Sequence, residues 1–423
     1  MQPVMIDRPC RKNVDHMDKP AFSVRDIGPG LVIAATGLGA GDLIAASVAG
    51  ATHGTAILWA AVLGAALKFA MNEGLARWQL ATGTTLLEGW VQKLPGIVSL
   101  YFFIYLLLWT FVVAGALIAG TGLAAHAIYP RLSVELWGVI HSLGALALVL
   151  IGRYALLETI MKCFIALMFL VVLVCAALVA PDVAAILRGL IPRIPHGSVV
   201  FILSVIGGVG GSVTLLCYGY WIRERGWNGP AELRRVRRDL GLAYGLTGLF
   251  GIAIMIIAAG LQPRVVTGPD MALGIARQLE SVVGPFGKWC FLIGFWSAVF
   301  SSMLGVWQGV PYLFDDFVRQ YSRRPGKTAI VDSRDRNYRG YLLYIAIPPM
   351  LLLLAGKPVW LVIVYAVAGA FFMPLLAALL MYMNSRRTWV GSLKNSPLTN
   401  LVLLATALLF VLLLLREVAR LPG

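Results

Sequence analysis

The sequence predicts an all-α polytopic membrane protein of about 11 transmembrane helices, built as two inverted five-helix repeats plus one further span. Three observations carry that expectation. First, 59% of the 423 residues are hydrophobic, only 13% are charged, and the mean hydropathy is +0.82. A soluble domain is roughly 45–50% apolar and 25% charged. Second, apolar runs near the ~20 residues that cross a bilayer recur along the whole chain. Third, clustered glycines interrupt the first and the sixth run at corresponding positions. Disorder is excluded, because it requires low hydrophobicity. A membrane β-barrel is excluded too, since its short alternating segments are replaced by long unbroken runs such as 101–119 and 398–415.

The spans are placed at 28–51, 55–78, 98–122, 134–152, 156–179, 198–222, 239–261, 286–313, 340–355, 358–383 and 398–416. Residues 1–26 are polar, lack an apolar signal region, and read as a cytoplasmic tail. A transport domain follows at 27–383, its two repeats covering about 27–180 and 197–383. Residues 384–423 form a cytoplasmic loop and the eleventh span. The longest polar connections are 223–239, 261–288 and 315–339. With the N-terminus inside, inner segments hold 24 Lys and Arg and outer segments hold 9. Basic residues accumulate in cytoplasmic loops, so the bias predicts an inner (cell) membrane protein with its N-terminus in and C-terminus out. The formal charge of +15 then reflects topology rather than nucleic acid. The Arg-rich stretch after the sixth span has a rival reading as a lipid-headgroup site.

The first span reads GPGLVIAATGLGAGDLIAASVAG, with Gly37, Gly39 and Gly41 followed by Asp42. The sixth reads FILSVIGGVGGSVTLLCYGYW, with Gly207, Gly208, Gly210 and Gly211 followed by Ser212. Glycine costs a helix interior roughly 1 kcal/mol against alanine. Clustered glycine at bilayer depth favours unwound backbone, which is tolerated where it faces protein, water or a solute. Breaks at the start of each five-span half point to an inverted repeat with a midplane site. Asp42 is the leading candidate ligand, as a charge at bilayer depth is costly and is retained where it serves a solute path. Its competing role is to cap the second half-helix. Gly39, Ala40 and Thr36 join it from the first break. Gly207, Gly208, Gly210, Gly211, Ser212 and Thr214 join it from the sixth. Cys217 is a further neutral candidate, although hydroxyls in membrane helices often bond back to their own helix. Glu73 is either a pathway carboxylate or a solvated helix end. His53 and His141 read as interfacial or packing residues.

The cysteines, Cys10, Cys163, Cys175, Cys217 and Cys290, are scattered and form no CxxC, so neither a disulfide framework nor a zinc site is indicated. Metalloprotease, phosphate-loop, serine-hydrolase and dinucleotide motifs are missing from the sequence. The expectation is a transporter rather than an enzyme, with no resident cofactor.

Four segments carry a family resemblance: GPG at 28–30, the GAGD break at 39–42, ILWAAVLGAALKF at 57–69 and LARWQLATG at 75–83. They resemble the NRAMP divalent-metal transporters, which open with GPG, break the first helix at DPGN and carry LAxRLGVVTG after the second span. The close likeness covers about residues 25–95; beyond that it rests on span layout and the glycine-rich sixth span. The resemblance implies a leucine-transporter-type fold, alternating access, and a divalent cation as substrate. The departures are informative. Gly39 stands where the family has its metal-binding Asp, Ala40 where it has Pro, and Asp42 where it has Asn. The family's MPH motif, due near Gly210 or Gly211, is missing together with its thioether ligand and its proton-linked His. A thioether suits soft metals, so its loss favours a hard, oxygen-rich site. The NRAMP-related magnesium transporters make Mg²⁺ a candidate beside Mn²⁺, and Mg²⁺ uses few carboxylates and keeps several waters. The third span has no Asp, Glu, Lys or Arg, which weakens family-style proton coupling. The partners expected are the lipid bilayer and a small solute or cation, with no nucleic acid; oligomeric state is open. The alternative is a transporter of the same fold that moves a small organic solute such as an amino acid.

Overall fold

The structure is a computed structural model that describes residues 28–151, 154–179, 182–208, 211–260, 270–321, 334–355, 361, 365, 368–369 and 371–418. Gly210 and the tail at 1–26 lie outside the described residues. Every regular element among the described residues is helical.

The first span is split. Helix α1 (Pro29–Gly37) stops at Leu38 and Gly39, and α2 (Ala40–His53) restarts the chain. Helix α3 (Trp59–Thr82) is the second span. It ends at Gly83, whose φ of +73° closes the helix in the left-handed region. A short helix α4 (Leu86–Lys93) follows, started by a capping box in which Thr85 and Glu88 exchange hydrogen bonds. Next come α5 (Gly96–Ile128), α6 (Val134–Ile151) and α7 (Tyr154–Leu178). A short helix α8 (Val183–Gly189) leads to the sixth span. That span is broken as expected: α9 (Val199–Gly208) ends in the glycine cluster, a 3₁₀ turn (Val213–Leu216) follows, and α10 (Cys217–Glu224) completes it. The second half continues with α11 (Leu233–Ala259), α12 (Asp270–Val283) and α13 (Pro285–Tyr321). It closes with α14 (Arg336–Ala346), a 3₁₀ stretch (Pro348–Ala355), α15 (Phe372–Asn384) and the last span α16 (Pro397–Val418).

Among the described residues six helices are long and apolar enough to cross a membrane, or seven if a bent pair at 387–412 is counted as one span. The other expected spans fall short for identifiable reasons. The first is divided by its break, α3 is made more polar by Lys68, Asn72 and Glu73, the ninth is the short α14 followed by a 3₁₀ stretch, and the tenth lies partly outside the described residues. Two connections differ from the expected loops. Arg234, Arg235, Arg237 and Arg238 belong to α11, which begins at Leu233. The polar stretch at 261–288 contains the amphipathic α12.

The core lies where α2 and α3 pack on α11, and where α13 packs on α5 and α7. Close packing is forced at Gly50 of α2: a Cβ there would sit 2.3 Å from the Met255 carbonyl oxygen of α11. The outer faces are apolar and exposed, as at Leu108, Leu170, Leu354 and Leu398. Such side chains belong against lipid tails, where a bare backbone group would be expensive.

Segments assigned to the inner side gather at one end. Arg77 pairs with Glu73 and donates to Asn395 at 3.0 Å, while Arg237 also reaches Glu73 at 2.9 Å. Thr85 donates to Asp316 at 2.7 Å, as does Tyr220 at 2.5 Å. Glu73 is therefore neither a solvated helix end nor part of the midplane pocket. Its side chain is only 5% exposed and is held between two arginines.

Candidate substrate site

The two breaks meet. A Cβ on Gly208 would lie 3.4 Å from Asp42 Oδ1, and one on Gly211 would lie 3.5 Å from the Gly37 Cα. Gly211 has a φ of +78°, which L-residues with side chains rarely adopt, so the sixth-span break depends on glycine there. A small pocket opens between the breaks, lined by Asp42, Gly207, Gly208, Gly211, Ser212, Tyr365 and Gly369. It has room for about one water-sized occupant.

Each break leaves backbone groups without intrahelical partners, and each solves the problem differently. At the end of α1 the Ala35 and Thr36 carbonyls accept from Ser301 at 3.3 Å and Ser302 at 2.7 Å, both on α13. At the start of α2 the Gly39 N–H donates to Asp42 Oδ2 at 3.1 Å. At the sixth-span break the Gly207 and Gly211 carbonyls accept from the ammonium of Lys68, the former at 3.4 Å. Lys68 sits on α3 and is wholly buried. Asp42 meets the same break, its Oδ1 lying against Gly208.

The candidate residues separate into groups. Asp42, Gly207, Gly208, Gly211 and Ser212 line the pocket. Asp42 both caps α2 through Oδ2 and leaves Oδ1 buried with no hydrogen-bond partner. Ser212 Oγ and Thr214 Oγ1 are also buried and unpartnered. Gly39 serves as the cap donor and Thr36 bonds back to the Val32 carbonyl at 2.7 Å. Ala40 begins α2. Cys217 is buried against Gly309 on α13, away from the pocket lining. His53 packs edge-on to Phe201, and His141 accepts from the Trp296 indole at 2.9 Å, so both are packing residues.

Three residues of the site escape a reading by motif. Lys68 has a signal in the sequence, a lone cation inside an apolar run, but its target carbonyls are 139 and 143 positions away. Tyr365 and Gly369 carry no signal, because nothing local places the tenth span against the breaks.

The site has a definite electrostatic character. The C-terminal end of α9, at Gly207 and Gly208, lines it, and helix C-termini carry partial negative charge. The N-terminus of α2 is already occupied by Asp42. Among the described lining residues the unpartnered side-chain atoms are the oxygens Asp42 Oδ1 and Ser212 Oγ. Among the described residues no group of three or more His, Cys, Asp or Glu gathers to hold a metal.

Broken first and sixth helices that meet at a small pocket mark a multi-pass membrane protein of the leucine-transporter-type inverted-repeat fold. The family model described as natural resistance-associated macrophage protein-like matches residues 30–419, and the chain belongs to that Nramp family. It is a transporter and not an enzyme. No curated protein sequence matches it. Among solved structures it is similar to a variant of the Eremococcus coleocola manganese transporter, with TM-score 0.77 and 16% identity over 92% of this chain and 85% of that one. The same transporter in complex with an aromatic bis-isothiourea substituted compound gives TM-score 0.76 and 15% identity over 96% and 89%. MhsT in complex with L-phenylalanine gives TM-score 0.59 and 15% identity over 91% and 97%. At these identities the likeness is one of fold.

Proposed function

We propose that the protein is a secondary transporter that moves a hard divalent cation, Mg²⁺ or Mn²⁺, by alternating access through the pocket between the two breaks. The observation that carries this reading is Asp42 Oδ1, a buried carboxylate oxygen without a partner that borders a pocket of one-ion size. Ser212 Oγ and the sixth-span carbonyls supply neutral oxygens at the pocket, and Thr214 Oγ1 lies unpartnered behind Gly211. Such a set suits a cation that uses few carboxylates and retains water. Family membership and the manganese transporter likeness support a metal-ion substrate. We further place the N-terminus in the cytoplasm of an inner-membrane protein, from the distribution of basic residues. No resident cofactor enters this scheme.

The purified protein, wild type and Asp42→Ala, should be melted with Mg²⁺, Mn²⁺, Ca²⁺, Na⁺ and a panel of small metabolites. A ligand at 100 times its dissociation constant adds about 2.7 kcal/mol. Stabilisation by Mg²⁺ or Mn²⁺ that Asp42→Ala abolishes, followed by uptake of that ion into liposomes, is the expected result. No response to any divalent ion at millimolar concentration would refute the reading. A response to metabolites alone would replace it with transport of an organic solute.

A further inference from the structure

Lys68 has a place in the site that ordinary helix packing does not require. Its side chain is completely buried, an expensive location for an ammonium. Two of its three N–H groups donate to the carbonyls of Gly207 and Gly211, which flank the sixth-span break. Main-chain carbonyls at the end of a half-helix are what a bound alkali or alkaline-earth cation would ligate, and the α9 end adds the negative pole of its dipole. The Phe410 ring of α16 lies 6.0 Å from the ammonium and presents its electron-rich face. Asp42 reaches the same break from α2, its Oδ1 lying against Gly208. Lys68 hangs from the middle of α3, a continuous helix, so displacing its ammonium requires a rotamer change of the four-carbon stem and no movement of the backbone.

We propose that Lys68 is a tethered cation: its ammonium fills a cation site made by the sixth-span carbonyls and holds the break together when no free ion is bound. A transported cation reaches those carbonyls only by displacing it. The first statement stands on the geometry of Lys68 alone; the second rests on the cation-transport reading above.

The test uses the purified full-length protein, wild type, Lys68→Met and Lys68→Gln, melted in choline, sodium or ammonium chloride at equal ionic strength without divalent ions. Lys68→Gln keeps an N–H donor for the carbonyls without the charge, and decides the matter if Lys68→Met does not fold. The expected result is a variant that melts below wild type in choline and recovers with sodium or ammonium in a saturable manner, while wild type melts alike in all three. A variant indifferent to the salt, or a wild type that shifts as much as the variant, would overturn the tethered cation. A parallel Mn²⁺ titration tests displacement: Lys68→Gln should bind Mn²⁺ at least about tenfold more tightly than wild type, because a like charge has been removed from the site. Unchanged Mn²⁺ affinity, with Asp42→Ala still abolishing binding, would overturn displacement and leave the transport reading intact. Absence of Mg²⁺ and Mn²⁺ binding in every variant would instead remove the transport reading, and the monovalent series would still decide the role of Lys68.

Discussion

Asp42 and Lys68 are expected to behave as one energetic unit, and a double-mutant cycle measures this. Asp42→Asn keeps an oxygen that can accept from the Gly39 N–H at the start of α2, so the cap survives and only the charge is lost. Lys68→Gln keeps an N–H that can donate to the Gly207 and Gly211 carbonyls. Asp42→Asn leaves the Lys68 ammonium buried with only the Gly207 and Gly211 carbonyls, and Lys68→Gln leaves the Asp42 carboxylate buried with only the Gly39 N–H. The exposure of Asp42 is 7% and that of Lys68 is 0%. The two groups are not in salt-bridge contact, so the about 3–5 kcal/mol lost when one partner of a contacting buried pair is removed is an upper bound for each single variant. Independent sites would then make the double variant less stable than wild type by the sum of the two single costs, at most about 6–10 kcal/mol. If the pair is coupled, the double variant carries no orphan charge and should be no less stable than the worse single one. Reversible denaturation in detergent micelles without divalent ions gives all four corners of the cycle. Additivity within about 0.5 kcal/mol would refute the coupling. It would also show that each charge is compensated by something other than its counterpart.

Three further predictions follow from positions away from the pocket. Burial raises the Glu88 carboxyl above its ordinary value of 4.5; the nearby Asp316 carboxylate adds to this and Arg223 opposes it. A carboxyl raised by folding contributes stability that is complete below its unfolded pKa and is lost as pH rises through the folded one. Melting curves from pH 4 upward should therefore fall more steeply for wild type than for Glu88→Gln; identical slopes would contradict the burial of this group. Gly50→Ala places a methyl 2.3 Å from the Met255 carbonyl oxygen and should separate α2 from α11, costing at least about 1–3 kcal/mol in denaturant unfolding. A variant as stable as wild type would show that the two helices do not pack so closely. Asp239 accepts from the Gly28 N–H at 3.2 Å, the Gly30 N–H at 2.6 Å and the Tyr218 hydroxyl at 2.9 Å. Asp239→Ala should free the start of α1 and raise amide hydrogen exchange at 28–32, and unchanged exchange would refute that anchoring role.

Much of the fold is legible along the chain because lipid imposes a simple code. Apolar run length, glycine clusters and the distribution of Lys and Arg are local quantities, and they anticipate two broken helices in corresponding halves. Helix content inside polar connections is less legible. The Arg-rich stretch before α11 and the polar segment containing α12 are amphipathic, so their composition resembles a loop until the faces are resolved. Asp42 was recognisable as an ionisable residue beside a break. Its two oxygens take different roles, one capping α2 and one facing the pocket, which no spacing reveals.

Glu73 and Lys68 show the limit most clearly. Both are charged residues five positions apart on one helix, and hydropathy treats them alike. Glu73 is neutralised by Arg77 one turn away and by Arg237 from α11, so it becomes part of a closed ion cluster. Lys68 faces the opposite helix break and takes carbonyls from it. Membrane insertion, helix content and the positions of the breaks follow from local composition, because the bilayer acts on each segment separately. Which charges find which partners follows from helices brought together across more than a hundred residues, and that contact exists only once the two halves have packed.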